Sequence, residues 1–383
     1  MDLIIQKASL DDVDELLGLY IAVYGPDYPL EVGTNRAIMQ EALRDTSEVL
    51  WLIMRDTERD VIAASVIFEM DLSLRIGKVM GAVVANGYRG QKVATKLINY
   101  GIQVVLESKK QVNSLYATAR TVDISSQAML LNSGFLPLGI FPNARKIKSY
   151  ETLTLLGMFS SGVLEKRSAI DKVPERLLPI VEICNKQIGH DHDKIESYSC
   201  PSLPVEVDIE DDFEFIFAPQ FVEKRFEEIF SDDEESLFYP FHKPNLIISS
   251  VNTDLEIYAS FNKKDHYCVL ITANESIRSL QGKFKKLMFS MKEHGIYYVE
   301  TLIRIDYFES ICFLLDNRFL PSAVYPAMRE EEGKLHDYVL LTRTMVPLDF
   351  SDAKIHEAFK PYVNQYVKQW LHLNLSIVEG VNL

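Results

Sequence analysis

The sequence predicts a mixed α/β (α+β) protein made of two tandem mixed sheets that are flanked by helices. One observation is the order of strand-like and helix-like patterns, β-α-α-β-β-β-α-β-α-β-β over residues 1–160, which largely recurs after residue 205. The other is a repeat: ISSQAMLLNSGFLPLGIFP, from Ile124, matches FESICFLLDNRFLPSAVYP, from Phe308, without a gap at an offset of 184 residues. Consecutive strands followed by βαβα alternation give a mixed sheet with helices on both faces. We therefore predict an internal duplication.

The elements of the first half follow from local patterns. Leu3–Lys7 has the apolar character of a short strand, and Ser9 with Asp12 three residues later predicts a capping box. Apolar residues then recur at a spacing of three to four up to Tyr24, which predicts an amphipathic helix. Gly25–Pro29 ends this helix, because proline and glycine continue a helix only at a cost. Further elements are predicted as helices at 34–44, from 93 to 105 and at 125–133, and strands at 50–55, 61–70, 78–84, 114–119, 135–141 and 150–156.

Four regions are predicted along the chain. A first α/β domain covers residues 1–160, and a second, degenerate copy of it covers residues 205–350. Residues 161–204 form a helical linker. Residues 351–383 form a C-terminal helix and tail, whose apolar stripe from Ile355 to Trp370 packs on the protein's own sheet or on a second subunit of a homo-oligomer. In the second copy, strands are predicted near 213–218, 245–251, 255–261, 267–272, 297–305, 323 and 338–344, and helices near 221–230, 280–292 and 307–316.

Composition and charge exclude several classes of function. The formal net charge is −15, and nearly all of it follows residue 160, so the chain lacks the basic stripe of a nucleic-acid-binding protein. No apolar run is long enough to span a membrane, and the N-terminus lacks the pattern of a signal peptide. We therefore expect a cytoplasmic protein with no nucleic-acid or membrane partner.

Neither a metal site nor a disulfide is predicted. The four cysteines have no CxxC or paired spacing, which indicates reduced thiols rather than a zinc site or a disulfide framework. The run HDHD at residues 190–193 lies in a polar linker with no distant partner, and DDEE at residues 232–235 is expected to be a solvated turn. The cysteines are Cys184, Cys200, Cys268 and Cys312.

The most informative segment is YRGQKVAT, residues 88–95, between a predicted strand and a predicted helix. A glycine-bearing turn at a helix start presents free backbone N–H groups at the positive end of the helix dipole, and this combination binds anions. Arg89 and Lys92 add positive charge, and Thr95 adds a hydroxyl. The segment predicts a diphosphate site; the alternative is an ordinary turn with a solvated arginine and lysine.

This segment resembles the cofactor-binding motif of the GNAT N-acetyltransferase superfamily, Arg/Gln-x-x-Gly-x-Gly/Ala. Arg89 and Ala94 match the motif, and Lys92 stands where the second glycine usually lies, so we expect a negative φ at Lys92. A second family motif, Asn-x-x-Ala-x-x-Leu-Tyr-x-x-x-Gly-Phe, matches at Gly134 and Phe135. The resemblance covers residues 1–157 in element order. The whole chain is similar to tandem GNAT proteins whose second copy is degenerate.

The resemblance implies that the chain binds acetyl-CoA or another short acyl-CoA. The pyrophosphate would lie on the turn, and the pantetheine arm would follow the preceding strand in a gap between two splayed parallel strands. A backbone N–H of that strand would stabilise the oxyanion that forms when an amine attacks the thioester. The residues implied in cofactor binding are Ala82, Val83, Val84, Arg89, Gly90, Gln91, Lys92, Val93, Ala94, Thr95 and Asp123.

Two catalytic groups that are common in the family are missing here. The strand Lys78–Val84 carries no glutamate to act as general base, and Leu130 replaces the tyrosine that protonates the leaving thiolate. The candidates for the base are therefore Glu151 on the last strand and Glu69 and Asp71 at the end of the third strand, with Asp123 and Ser126 as candidates at the thiol end of CoA. Helix capping explains Asp123 and Ser126 nearly as well, and Glu151 also fits a solvated strand carboxylate.

The predicted function is transfer of an acyl group from acyl-CoA to a primary amine of a small molecule or peptide, by direct attack on the thioester. The alternative is a catalytically silent acyl-CoA-binding or scaffold protein. The acceptor is expected to contact residues 25–30 and 143–149. Arg145, Lys146 and Lys148 indicate an acceptor with a carboxylate, and the alternative is that all three are solvated loop charges. The second copy is predicted to be non-catalytic, because its turn at 273–279 has no glycine and carries Glu275.

Overall fold

A computed structural model of the chain describes residues 2–26, 28, 30–190, 194–201, 211–230 and 239–375. It confirms a mixed α/β protein. The chain divides into two compact units: the first comprises residues 1–137, 154–166 and 327–335, and the second comprises residues 138–153, 167–326 and 336–383. The chain therefore passes between the units at residues 137/138 and 153/154, within one hairpin, and at residues 326/327 and 335/336, within another. The domain boundaries drawn from the sequence stay a prediction.

A mixed sheet forms the first unit. Its strands follow the order β1-β2-β3-β4-β5-β7, and β1 to β4 are antiparallel neighbours, whereas β4 and β5 are parallel. A parallel pair needs a crossover connection, and a helix after β4 supplies it. The strands of this half of the chain are β1 (Leu3–Lys7), β2 (Val49–Asp56), β3 (Val61–Asp71), β4 (Ile76–Val84), β5 (Ser114–Arg120), β6 (Leu136–Lys146) and β7 (Tyr150–Phe159).

The helices of the first unit are α1 (Val13–Tyr24), α2 (Glu31–Thr34), α3 (Arg36–Arg44), α4 (Val93–Ile102) and α5 (Ile124–Asn132). Residues 103–108 continue α4 as a π-helix. The predicted capping box precedes α1, where the N–H of Ser9 donates to Asp12 Oδ2 at 2.8 Å. The helix predicted at 34–44 corresponds to α3, whereas the short α2 was not predicted. Asn35 separates α2 from α3, because its side-chain oxygen caps α3 by accepting from the N–H of Ala37 at 3.0 Å.

The core next to the candidate site lies between α1 and strands β2 to β4. Leu16 and Tyr20 of α1 are fully buried in one apolar cluster with Trp51 and Ile53 of β2 and Ile67 of β3. Leu16 and Tyr20 lie four residues apart and so share one face of the helix. The apolar spacing of the sequence therefore fixes which face of α1 is held against the sheet.

In the second unit, neighbouring strands follow the order β15-β16-β14-β13-β12-β11-β10, and β13 and β14 are a parallel pair. Its elements are β8 (Lys172–Pro174), α6 (Leu178–Gln187), β9 (Glu196–Tyr198), β10 (Phe213–Phe217), α7 (Pro219–Phe230), β11 (Leu246–Ser250), β12 (Glu256–Asn262), β13 (Tyr267–Ala273), α8 (Phe284–Glu293), β14 (Tyr298–Arg304), α9 (Phe308–Asp316), β15 (Leu320–Glu331), β16 (Lys334–Thr344) and α10 (Lys360–Leu375). The predicted helical linker contains α6, but it also holds the parallel pair β8–β9, which the sequence did not indicate.

Element bounds recur at the offset found in the sequence. Both ends of β5 and β14, and both ends of α5 and α9, are 184 residues apart, and β6 and β15 also begin 184 residues apart. The recurrence agrees with a repeated fold. Its origin by duplication stays a prediction.

Two of the four cysteines contradict the expectation of reduced thiols. Cys200 and Cys312 form a disulfide with 5.5 Å between their Cα atoms, and 112 residues of sequence separate them, so spacing gave no signal. Cys184 and Cys268 are free and buried. Burial raises the pKa of the Cys184 thiol to about 12, which keeps this thiol protonated and unreactive.

The C-terminal apolar stripe packs inside the second unit. Phe359, Tyr362 and Tyr366 are buried, and the hydroxyl of Tyr366 lies 3.2 Å from Thr342 Oγ1 of β16. This supports the prediction that the stripe packs on the protein's own sheet.

The described residues do not include two charged runs in full. Residues 191–193 of the HDHD run and the DDEE run lie outside the described residues. Within the described ranges, no helix is long and apolar enough to cross a membrane.

Candidate active site

The predicted anion-binding turn lies between β4 and α4. A short 3-10 turn, Asn86–Tyr88, follows β4, and Arg89 and Gly90 come next and are exposed. The N–H of Lys96 donates to the carbonyl of Lys92 at 3.0 Å, which places the start of the helical hydrogen-bond ladder there. The N–H groups of a first turn have no acceptor within their own helix, and no acidic residue lies in this turn of α4. These groups therefore suit an anionic ligand.

Lys92 departs from the expectation of a negative φ. Its φ is +57° and its ψ is 22°, which is the left-handed region. A left-handed conformation costs a residue with a Cβ about 1–2 kcal/mol. The backbone at this position thus favours glycine, in keeping with the glycine of the motif. In this chain the turn keeps the glycine-like backbone and carries a cation on it.

The turn is anchored to the sheet through Tyr88. Its hydroxyl donates to Asp56 Oδ2 at 2.7 Å, and Asp56 lies fully buried at the end of β2. This hydrogen bond is the largest influence on the Asp56 carboxyl and lowers its pKa. The N–H of Ala85 also donates to the carbonyl of Ala63 at 2.9 Å. The turn is therefore held at its junction with β4 and also through the side chain of Tyr88.

The parallel strands β4 and β5 pair over only part of their length. Their register runs from Ile76 opposite Ser114 to Val79 opposite Ala117, while β4 continues to Val84 and β5 to Arg120. Beyond Val79 the two strands diverge and open a gap whose β4 side is formed by residues 80–84. This is the splay that the sequence resemblance implied, and it brings Ala82, Val83 and Val84 to one edge.

A β-bulge lies in β4 at the gap. Ile67 of β3 faces Met80 and Ser65 faces Val83, so two residues of β4 stand opposite one of β3. Gly81, one of the two, has a φ of +62°, a conformation that favours glycine. The bulge turns the following peptide groups out of the regular ladder.

Two tyrosines of α1, which sequence reasoning did not select, contact this bulge. The hydroxyl of Tyr20 donates to the carbonyl of Gly81, and that of Tyr24 donates to the carbonyl of Ala82, each at 2.6 Å. Desolvation raises the pKa of Tyr24 to about 12, against the lowering influence of nearby Arg120 and Arg89. Tyr24 therefore keeps its proton at neutral pH. Their spacing of four residues was visible in the sequence, but it indicated only a helix face.

Asp123 and Ser126 both have structural contacts. Asp123 caps α5, accepting from the N–H of Ser125 at 2.6 Å, and Ser126 Oγ lies 3.4 Å from the carbonyl of Arg120 at the end of β5. The contact of Asp123 is the helix cap that the sequence left as the alternative, whereas Ser126 contacts the end of β5 instead of capping the helix. A role for either side chain at the thiol end of CoA stays a prediction.

Glu151 belongs to the residues of the second unit. Its negative charge contributes to the raised pKa of Asp265, after the larger contribution of desolvation. Leu130, which replaces the family tyrosine, is buried in the first unit. A role for Glu151 as general base stays a prediction.

The cations of the predicted acceptor loop have partners in the second unit. Arg145 Nε lies 3.7 Å from Asp265 Oδ2, and Lys146 Nζ lies 5.4 Å from the centre of the Tyr150 ring. In the other loop, residues 27 and 29 lie outside the described residues, and Tyr28 stacks on Tyr24 with 4.4 Å between ring centres. The contacts of Arg145 and Lys146 favour a structural role over recognition of a carboxylate.

The second unit repeats part of this geometry. Its parallel strands β13 and β14 pair only from Tyr267 opposite Tyr298 to Val269 opposite Glu300, and β13 also contains an irregular register against β12. The turn before α8 extends to Lys283 and contains Gly282, with φ +78°, so the prediction of a turn without glycine is wrong. Lys283, however, is buried, and its Nζ lies 2.8 Å from Asp211. The charge of Lys283 is therefore already paired with the carboxylate of Asp211.

Part of the chain matches the model of a known family. Residues 13–135, about a third of the chain, match the family model described as the acetyltransferase (GNAT) family. No curated protein is significantly similar to the chain.

Similar solved structures cover less than half of the chain. They include an acetyltransferase of the GNAT family from Streptococcus pneumoniae, with 16% identity over 41% of this chain and 99% of that one, at a TM-score of 0.35. Mutant forms of the spermidine/spermine N-acetyltransferase SpeG from Vibrio cholerae have 15% identity, 44% and 100% coverage and a TM-score of 0.36. An N-acetyltransferase from Staphylococcus aureus has 16% identity, 42% and 98% coverage and a TM-score of 0.35.

The family match and the geometry concern the same residues. The matched range contains the splayed strands β4 and β5, the bulge at Gly81 and the turn before α4. This region, residues 13–135, is similar to the GNAT acetyltransferase family.

Proposed function

We propose that this protein transfers an acetyl group from acetyl-CoA, or another short acyl group from its CoA thioester, to a primary amine of a small molecule or peptide. One observation carries the proposal: a single unit combines an opened parallel pair, a bulge at Gly81 and a glycine-bearing turn that leads from the same strand into a helix. An ordinary βα connection needs none of these three features.

The residues present fit the two chemical parts of an acyl-CoA. The N–H groups of Gly90, Gln91, Lys92, Val93, Ala94 and Thr95 would hold the pyrophosphate, with charge from the Arg89 and Lys92 side chains. The backbone of Ala82 and Val84, on the open side of β4, would hold the amides of the pantetheine arm, with Val83 between them in the same strand. When bound, the thioester supplies an acyl group that an amine can attack directly.

The chain's own contribution to the reaction is positioning and backbone hydrogen bonding. Holding amine and thioester together removes much of the entropic barrier, and a backbone N–H of β4 stabilises the developing oxyanion. Because β4 carries no carboxylate, the proton of the amine would leave through solvent or through Asp123, Ser126 or Glu151. An acceptor amine of low pKa would need no strong base.

The rival function is that of a silent acyl-CoA-binding or scaffold protein. The absence of a carboxylate on β4 and the presence of Leu130 at the tyrosine position favour it. Acetyl-CoA mixed with a broad panel of amines separates the two functions when free thiol is followed. Release of thiol that depends on an amine supports the transferase, and tight CoA binding without release across the panel supports the scaffold.

The cofactor assignment is tested by calorimetric titration of CoA into Arg89→Ala and into Arg44→Ala, which removes an exposed arginine of α3 as a matched control. Loss of a charge-assisted hydrogen bond costs about 1–3 kcal/mol, or about tenfold to a hundredfold in affinity. The loss in Arg89→Ala should shrink at high salt, and Arg44→Ala should bind like the wild type. Equal affinities in all three proteins would place CoA elsewhere.

The remaining parts of the proposal rest on the sequence. The absence of nucleic-acid and membrane partners is proposed from its charge distribution and hydropathy, and a cytoplasmic location stays a prediction. The acceptor is proposed to be a small-molecule or peptide amine, and a homo-oligomer is proposed without an assigned surface. Size-exclusion chromatography with light scattering would test the oligomer.

A further inference from the structure

The tyrosines of α1 bind two consecutive carbonyl groups of β4. Tyr20 and Tyr24 are four residues apart, so their side chains lie on one face of α1. They donate to the carbonyls of Gly81 and Ala82. In a regular strand, consecutive carbonyls point in opposite directions, and the bulge is what allows one helix face to reach both. The contact is therefore built from a specific helix spacing and a specific backbone irregularity.

The direction of each peptide group follows from the ladder next to the bulge. The N–H of Ala85 donates to the carbonyl of Ala63, and hydrogen-bonded pairs of an antiparallel ladder recur every second residue. Ser65 and Val83 are therefore a hydrogen-bonded pair, and the N–H of Val83 faces β3. In a trans peptide the carbonyl of one residue and the N–H of the next point in opposite directions. The carbonyl of Ala82 thus faces away from β3, toward the gap with β5, and Tyr24 meets it there.

The N–H of Ala82 is set by the preceding peptide group. No described peptide bond is cis, so this N–H points opposite to the carbonyl of Gly81, which Tyr20 holds. It consequently points away from the Tyr20 hydroxyl. The phenol of Tyr20 is itself fixed: it is fully buried, and Ser65 Oγ, which accepts from Trp51 Nε1 at 2.7 Å, lies 3.4 Å from its oxygen.

We propose that Tyr20 and Tyr24 are positioning residues which clamp the two peptide groups around Ala82 and so aim the Ala82 N–H at the acyl carbonyl of the bound thioester. The inference rests on the proposed function, and it adds which side chains hold the oxyanion donor in place. Tyr20 acts on the peptide group that carries this N–H, whereas Tyr24 acts on the next one. Tyr20 should therefore have the larger influence.

The test compares Tyr20→Phe and Tyr24→Phe with Tyr100→Phe, which removes an exposed hydroxyl from α4. Affinities for CoA and acetyl-CoA are measured by calorimetry, together with kcat and KM for an amine that supports turnover. We expect CoA affinity to stay within about twofold of wild type. We expect kcat to fall about tenfold or more in Tyr20→Phe, and less in Tyr24→Phe, because a misaimed oxyanion donor acts mainly on the transition state.

The outcomes separate the clamp from the proposed function. Wild-type turnover with unchanged kcat in both folded variants would overturn the clamp and leave the acyltransferase intact. If the wild type binds both ligands without turnover, the transferase proposal fails and only the affinities test the clamp. In that case, a preference of the wild type for acetyl-CoA over CoA that Tyr24→Phe abolishes supports the clamp. An unchanged preference in Tyr24→Phe overturns the clamp. If Tyr20→Phe does not fold, Tyr24→Phe decides. Binding of neither ligand to the wild type overturns both proposals.

Discussion

The hydroxyl of Tyr88 donates to the buried carboxylate of Asp56 at 2.7 Å, and this bond joins the candidate phosphate-binding turn to the end of β2. Tyr88 belongs to the 3-10 turn before α4, and Asp56 ends a central strand of the first unit. The position of the turn therefore depends on a charge-assisted bond inside the sheet. The bond couples the ligand site to the protonation of one acid.

The first prediction concerns acid stability. The folded-state pKa of Asp56 is lowered, so its contribution to stability is present above the unfolded-state pKa of about 3.9 and is lost as the pH falls through the folded-state value. Asp56→Asn should therefore melt below the wild type at pH 7, with a difference that shrinks toward pH 3. Thermal unfolding between pH 3 and 7 measures this. Tyr88→Phe should show the same pH trend, since it removes the donor, and a difference that does not vary with pH would contradict the assignment.

The second prediction concerns the left-handed backbone at Lys92. Lys92→Gly should raise the free energy of unfolding by about 1 kcal/mol, because glycine adopts a φ of +57° without a Cβ clash. Lys92→Ala removes the same charge but keeps the strain, so it is the matched control and should not be stabilised. Urea unfolding of the three proteins decides the point. CoA affinity should fall similarly in both variants, and equal stability of the glycine and alanine variants would argue against a strained turn.

The third prediction concerns a buried ion pair of the second unit. Arg167 Nε donates to Asp337 Oδ1 at 2.9 Å, and the two side chains are only 7% and 1% exposed. Asp337→Asn should destabilise the protein by about 3–5 kcal/mol because it leaves a buried guanidinium without its counter-charge. The double variant Arg167→Met with Asp337→Leu should be less destabilised than Asp337→Asn.

A surface pair supplies the control for this measurement. Lys360 and Glu357 lie 3.2 Å apart and are exposed, so Lys360→Ala should change the free energy of unfolding by less than about 1 kcal/mol. Urea unfolding measures both variants. A similar loss of unfolding free energy in Asp337→Asn and Lys360→Ala would show that burial of the Arg167–Asp337 pair does not matter.

The fourth prediction concerns Glu300, a fully buried carboxyl that accepts hydrogen bonds from Tyr239, Tyr267 and Tyr298. Desolvation outweighs these hydrogen bonds and raises its pKa. The contribution of a group with a raised pKa is fully present below the unfolded-state value of about 4.3 and is lost as the pH rises through the folded-state value. Glu300→Gln, which cannot ionise, should therefore gain melting temperature relative to the wild type between pH 4 and 8. A constant difference across this range would contradict the raised pKa.

Local patterns predicted much of the first unit. The strand bounds, α1 with its capping box, and the turn before α4 all followed from spacing and glycine placement, because these elements are fixed by nearby residues. The bulge at Gly81 and the tyrosine contacts did not follow. A hydrogen bond from Tyr24 to Ala82 joins residues 58 positions apart, and no local spacing encodes it.

Long-range connections and strained backbone explain the wrong predictions. The Cys200–Cys312 disulfide joins residues whose proximity depends on the packing of α9, so the count and spacing of cysteines gave no indication of it. At Lys92 the expectation came from the general avoidance of positive φ by residues with a Cβ. Here the geometry of the turn prevails over that preference, as happens at sites with a functional constraint.

The exchange of hairpin segments between the two units has a consequence for synthesis of the chain. Residues 327–335 complete the first unit, where Ala327 and Leu335 share an apolar cluster with Val163. A ribosome making the chain releases residues 1–166 long before these residues emerge, so Val163 stays without two of its core neighbours during that interval. Vectorial folding of the N-terminal half is consequently incomplete. A nascent chain arrested before residue 327 should be more sensitive to protease near residue 163 than one arrested at the C-terminus.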